Sequence, residues 1–178
     1  EKGVFLLNLM SSPGSGKTTT LTQTLKALQK DLRIAVMEAD IDSDVDAKTI
    51  EETGTRVIQL HTGGMCHLDA DMTRQGLDQI GVDETDLVIL ENVGNLVCPA
   101  SYDVGSHLNV VLVSIPEGED KIAKYPVMFR QADLILFTKV DLLPYFEYDM
   151  RKEKEMARKL KPNVDILEVS TKDEESIK

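Results

Sequence analysis

The sequence predicts an α/β domain built on a mostly parallel, seven-stranded sheet flanked by helices. Short apolar tetrads recur along the chain, helical stripes fall between them, and a glycine-rich turn joins the first tetrad to the first stripe. Alternation of strand and helix at this spacing is the pattern of a parallel sheet with crossover helices.

The tetrads occupy residues 4–7, 34–37, 87–90, 110–113 and 134–137. Continuous apolar runs this short suit strands covered on both faces. Residues 57–60 and 166–169 are weaker candidates that bring the count to seven. Leu21, Leu25 and Leu28 stand at i, i+4 and i+7 after the first strand, the spacing of one helix face. Phe146, Met150, Ala157 and Leu160 make a second stripe, with residues 151–155 on its wet side. No repeat, linker or low-complexity tract interrupts the 178 residues, so residues 1–178 read as one domain. A start without Met and an abrupt stop after Lys178 read as trimming at both ends.

Composition narrows the function. Thirty-one acidic against 20 basic residues leave a net charge of −11, which argues against gripping nucleic acid or an anionic membrane. No apolar run exceeds four residues, whereas a membrane helix needs about 20. The first residues lack the basic start and long apolar stretch of a signal peptide. Two cysteines make no disulfide framework, and a cytoplasmic location is the expectation.

Residues 11–19 (Ser-Ser-Pro-Gly-Ser-Gly-Lys-Thr-Thr) follow the first strand and run into the first helix, the context of a P-loop. Gly14, Ser15 and Gly16 let backbone N–H groups turn onto phosphate oxygens, helped by the helix N-terminus. Lys17 reaches the β- and γ-phosphates, the Thr18 hydroxyl ligates Mg²⁺, and Thr19 completes the phosphate contacts. The first position of the motif is Ser11 instead of glycine.

A magnesium nucleotide needs carboxylates at neighbouring strand ends. Asp40 and Glu91 stand there and are the expected Mg²⁺ and catalytic carboxylates beside Lys17. The acids Asp40, Asp42, Asp44 and Asp46, with Glu51 at the twelfth place, could form a calcium loop, but Val45 stands where that loop turns on glycine, so a solvated switch loop near Mg²⁺ is the expectation. Glu91-Asn92-Val93-Gly94 resembles the Asp-x-x-Gly element of GTPases, in which the glycine N–H senses the γ-phosphate. Thr138-Lys139-Val140-Asp141 resembles the Asn-Lys-x-Asp guanine motif. There Asp141 would accept from guanine, Lys139 would lie along the base, and Ser170 would add a backbone contact. GTP is therefore expected over ATP.

Cys66 and His67 stand at a loop-to-helix junction, and Cys98 follows Gly94 closely. An ion bridging Cys66 and Cys98 would feel the phosphate-sensing segment. Thiolate and imidazole suit Zn²⁺ or Ni²⁺ alike, with Asp69 and Asp71 near enough to ligate or orient. Two copies about a twofold axis would supply enough ligands for closure. A buried apolar role for the cysteines and a capping role for His67 stand as the alternative. His61 and His107 read as structural.

The phosphate loop, Gly-Gly-Met-Cys-His-Leu-Asp-Ala at 63–70, Glu-Asn-Val-Gly-Asn-Leu-Val-Cys-Pro-Ala at 91–100, Glu-Gly-Glu-Asp-Lys at 117–121 and Lys-Tyr-Pro at 124–126 occur in this order. Together they resemble the HypB family, SIMIBI-class P-loop GTPases that insert nickel during [NiFe]-hydrogenase maturation. The resemblance covers residues 4–170. It implies slow Mg²⁺-dependent hydrolysis of GTP to GDP and a homodimer promoted by GTP. It also implies Ni²⁺ or Zn²⁺ held by Cys66, His67 and Cys98 near the dimer interface. Transfer would run with a HypA-like metallochaperone toward the hydrogenase large subunit. Many relatives carry a further histidine where Asp71 stands. A P-loop kinase acting on a small molecule and a nucleotide-independent metal store are the rival readings.

Overall fold

The computed structural model describes residues 3–39, 45–173 and 176. Its seven strands are β1 (Phe5–Ser11), β2 (Ile34–Glu38), β3 (Arg56–Gln59), β4 (Leu87–Glu91), β5 (Leu108–Ser114), β6 (Leu134–Thr138) and β7 (Asp165–Val169). They form one sheet in the order β3-β2-β4-β1-β5-β6-β7, and every pair is parallel. The helices are α1 (Lys17–Leu28), α2 (Val45–Glu51), α3 (Ala70–Ile80), α4 (Lys121–Lys124), α5 (Pro126–Gln131) and α6 (Met150–Leu160). Among the described residues no helix is long and apolar enough to cross a membrane.

Side-chain alternation along β1 divides the core. Leu9 packs with Leu21 and Leu25 of α1 on one face. Leu6 joins Met37, Leu90 and Ile80 on the other, and Met10 joins Phe129, Phe137 and Ala157 there. Residues two apart on a strand share a face, so Asn8 lies on the side of Leu6 and Met10.

The five tetrads are the five inner strands, and the two weaker segments are the edges. An edge strand has one flank uncovered, which is why β3 and β7 carry fewer buried residues and a less continuous apolar run.

Two details of the α6 reading are corrected. Phe146 lies before the helix and is 44% exposed. Glu153, expected on the wet side, is buried, because Met150, Glu153 and Ala157 follow the i, i+3, i+7 spacing of one face.

Candidate functional site

β1 ends at Ser11, and the chain turns through Pro13 and Gly14 into α1. Gly16 caps the helix with φ 91°, a left-handed conformation that side chains other than glycine adopt at a cost. The C-terminal ends of β1, β2 and β4 surround a cavity of about 620 Å³ with the phosphate loop as its floor, a volume that suits a small-molecule ligand. Gly94 closes one wall. A Cβ on it would meet Pro13 Cγ at 3.1 Å, so a larger residue there would push Pro13 back by a few tenths of an ångström.

Lys17, Thr18 and Glu91 come together. Thr18 Oγ1 donates to Glu91 Oε1 at 2.8 Å, and Lys17 Nζ lies 3.9 Å from the same oxygen. Lys17 also donates to the carbonyl of Asn92. Glu38, absent from the sequence reading, lines the same cavity, is buried and stands in register with Glu91. Their strands run about 4.8 Å apart, and two like charges on neighbouring strands favour a cation beside them, a part that Lys17 already plays for Glu91. The donor set of Thr18, Glu38 and Glu91 is all hard oxygen, which fits Mg²⁺. Glu38 ends β2 directly after the apolar tetrad, and a polar residue there reads from sequence as a strand terminator. Asp40, with Asp42 and Asp44, lies outside the described residues, as does the side chain of Asp46.

The residues expected from sequence to meet the base, Lys139, Asp141 and Ser170, also converge. Lys139 has φ 59°, and its Nζ donates to the Gly14 carbonyl at 2.7 Å. Asp141 accepts from Ser170 Oγ at 2.7 Å and pairs with Lys172 Nζ at 2.9 Å. These partners, Lys172 first, hold its carboxyl below the usual carboxylate range. A smaller pocket runs from Gly16 past Thr138 and Lys139 to Thr171. Ser12, at the outer rim, donates to Glu117, whose other oxygen accepts from the Ser114 N–H at 2.8 Å and hydroxyl at 2.7 Å.

Cys66 sits in the loop before α3. Cys98 opens a 3-10 turn (Cys98–Ser101) in the connection after β4. Both are free thiols, and their sulfurs are 2.6 Å apart. That contact and burial push the Cys66 thiol above its ordinary value. Asn95 Oδ1 accepts from the N–H groups of Val97 and Cys98 at 2.7 and 3.1 Å and fixes the turn. Met65 and Val97, chain neighbours of the two cysteines, and Tyr102, at the end of the 3-10 turn, are half-exposed apolar side chains.

His67 stands apart from this pair. Its ring stacks on Tyr102 with centroids 3.6 Å apart, and among the described residues no three His, Cys, Asp or Glu side chains gather as a metal cluster. The helix cap is Asp69, which accepts from the Met72 N–H at 2.8 Å, so His67 does not cap it. Asp71 accepts from Arg74 at 2.7 Å and Gln75 at 2.8 Å. His107 is structural as expected: its Nδ1 accepts from the Leu6 N–H at 3.0 Å, and its ring stacks on Phe5.

The profile of the CobW/HypB/UreG nucleotide-binding domain matches residues 5–168. The hydrogenase/urease maturation factor HypB of Helicobacter hepaticus is 48% identical over 181 residues, covering 99% of this chain and 74% of that protein. The hydrogenase maturation factor HypB of Escherichia coli K12 is 48% identical over 165 residues, covering 93% of this chain and 57% of that protein. The chain thus spans little more than half the length of the second relative. The crystal structure of Helicobacter pylori HypB in complex with nickel superposes with a TM-score of 0.91 at 43% identity, covering 99% of this chain and 83% of that one.

Proposed function

Because this chain belongs to the CobW/HypB/UreG family of nucleotide-binding domains, we propose that it is a Mg²⁺-dependent GTPase that couples its nucleotide state to binding and release of nickel for [NiFe]-hydrogenase maturation. The observation that carries the reading is the contact of Cys66 with Cys98, since Cys98 rides on the same connection as Gly94. Phosphate sensing and metal holding thereby share one piece of chain.

In this reading the N–H groups of residues 14–19 and the Lys17 ammonium bind and orient the phosphates. Thr18, Glu91 and Glu38, joined by Asp40, hold Mg²⁺, which supplies charge neutralisation on the β- and γ-phosphates. Glu91 fixes the Thr18 hydroxyl and lies close to Lys17. Asp141, with Lys139 and Ser170, reads the guanine edge, and the ion pair with Lys172 yields when the base arrives. No glutamine follows Gly94 at the usual GTPase spacing, which supports slow turnover.

Nickel, the cargo, is held by the Cys66 and Cys98 thiolates, with zinc as a competing ion of similar ligand chemistry. Two sulfurs leave coordination positions open. A second copy brought up by GTP fills them, and the half-exposed apolar side chains of Met65, Val97 and Tyr102 suit that contact. His67 joins the site only by leaving Tyr102. The metal then passes, with a HypA-like metallochaperone, toward the hydrogenase large subunit in the cytoplasm.

Titrating Ni²⁺ into protein loaded with Mg²⁺ and a non-hydrolysable GTP analogue, beside protein loaded with GDP, tests the reading. Thiolate-to-nickel charge transfer is expected at lower Ni²⁺ with the analogue, and to vanish in Cys66→Ala. Equal binding in both states would leave a metal store. Transfer of the γ-phosphate to a small molecule instead of water would make the protein a kinase.

A further inference from the structure

β1 is apolar from Phe5 to Met10 except at Asn8, whose side chain is buried. An amide in such a place costs free energy unless its donors and acceptors are met. Asn8 is met on both sides. Its Oδ1 accepts from Asn92 Nδ2 at 3.0 Å. Its Nδ2 donates to Asn109 Oδ1 at 2.9 Å, on the residue opposite it in the register of β1 with β5. Asn92 Oδ1 accepts in turn from the Val93 N–H at 2.9 Å. Asn109 Oδ1 also accepts from the Ser106 hydroxyl at 3.0 Å.

Asn92 and Ser106 lie near the two ends of one connection, which leaves β4 after Glu91 and enters β5 at Leu108. Along it sit Gly94 against Pro13, Cys98 against Cys66 and Tyr102 against His67. Beneath part of it lies a cavity of about 510 Å³, floored by Asn8 and Asn109 and walled by Tyr102, Asp103 and Ser106. At the near end the Asn92 carbonyl holds Lys17. An ammonium has three donors, so Lys17 can hold that carbonyl and a phosphate oxygen together. A shift of the phosphate then draws on Asn92.

We propose that Asn8 and Asn109 are positioning residues. The row Asn92–Asn8–Asn109 fastens both ends of the 92–107 connection to the sheet, so that a change at the phosphate end reaches Cys98 and Tyr102 as movement of one body. This rests on the nucleotide-switch reading above. Leucine in these places would fill the same space and leave the two ends to their backbone bonds alone, Asn92 N–H to the Leu9 carbonyl and His107 N–H to the Leu6 carbonyl, and a satisfied buried network of this kind specifies geometry more than it adds stability.

The test follows the alkylation rates of Cys66 and Cys98 with iodoacetamide, in protein carrying Mg²⁺ with a non-hydrolysable GTP analogue and in protein carrying GDP. Wild-type rates are expected to differ between the two states by about fivefold or more, the usual size of coupling between sites. Asn109→Ala is expected to bring that ratio to within about twofold of one, while both nucleotides bind within about threefold of wild type, because the phosphate loop is untouched. Asn8→Leu, which cuts both arms, is expected to lose affinity for the analogue more than for GDP. Asn109→Ala that folds and keeps the wild-type ratio overturns the proposal. If Asn109→Ala does not fold, Ser106→Ala removes the far tether alone, and an unchanged ratio there overturns it equally. Wild type that alkylates alike in both states sinks the switch reading, and the proposal with it. Nickel titration separates the two failures, since the switch can fail without any asparagine being changed.

Discussion

The Thr138 hydroxyl donates to the Ser15 carbonyl at 2.6 Å, with both residues buried. This bond fastens the end of β6 to the phosphate loop and gives a use for threonine where the guanine motif carries asparagine. Lys139, next in the chain, reaches the same loop at Gly14. The end of β6 and the phosphate loop are therefore built against one another. Thr138→Val keeps the shape and removes the donor, leaving a buried carbonyl short of a partner. It is expected to lower stability by about 1–2 kcal/mol in urea unfolding, and to weaken GDP binding severalfold by fluorescent-nucleotide titration. Thr138→Ser should restore most of both.

Glu91 is buried, bonded to Thr18 and close to Lys17. Glu91→Gln is nearly isosteric and removes the charge. If Glu91 helps hold Mg²⁺, the substitution removes one of the two carboxylates in the described part of the site, the other being Glu38, while the phosphate cradle stays intact. GDP affinity in EDTA should change little, and the gain on adding Mg²⁺ should fall about tenfold or more. Loss of GDP binding in EDTA as well would show that Glu91 supports the loop and not the ion.

The cysteines and His67 should separate by mutation. Cys66 and Cys98 share one point, whereas His67 is held on Tyr102. Cys66→Ala and Cys98→Ala should each remove thiolate-to-nickel charge transfer. His67→Ala should keep the band and weaken Ni²⁺ by no more than about a hundredfold, the scale of an outer ligand or orienting group. Loss of the band in His67→Ala would place the imidazole among the first ligands.

Local chemistry made the fold and the phosphate loop legible. Inner strands of a parallel sheet must be apolar on both faces, and a phosphate loop needs glycines before Lys-Thr at a strand end. Hidden features depend on partners distant in sequence. Asn8 reads as an interruption of a strand until Asn92 and Asn109 are beside it. Glu38 reads as a strand end until the register sets it next to Glu91. The nearness of Cys66 and Cys98 depends on two loops from strands that are not neighbours in the sheet. Glu153 was hidden because its charge outweighs its helical position in any reading by residue type.

That same Glu153 gives the protein a pH dependence with a definite sign. Among the described residues its Oε2 has no hydrogen-bond partner. Burial pushes its carboxyl from an ordinary 4.5 up to about 7; Glu119, Asp120 and Asp149 add to the rise, and Lys152 opposes it. Beside it, burial and the charge of Glu153, with Glu119 and Glu117, push the Tyr148 hydroxyl well above the usual phenol value. Between about pH 4.5 and 7 the folded protein keeps a proton that the unfolded chain releases. The contribution is therefore full below about pH 4.5 and is lost as the pH rises through about 7. Asp86 behaves in the opposite sense, held down to about 2 by Arg33, so its contribution is lost only in acid and is level across the neutral range. Urea unfolding at pH 5, 6, 7 and 8 should show wild type losing about 1–3 kcal/mol from this group as the pH rises. Glu153→Gln cannot ionise. It should lack that part of the slope and be the more stable protein at pH 8. Parallel curves for the two proteins would mean that Glu153 ionises in the folded state as freely as in the unfolded chain.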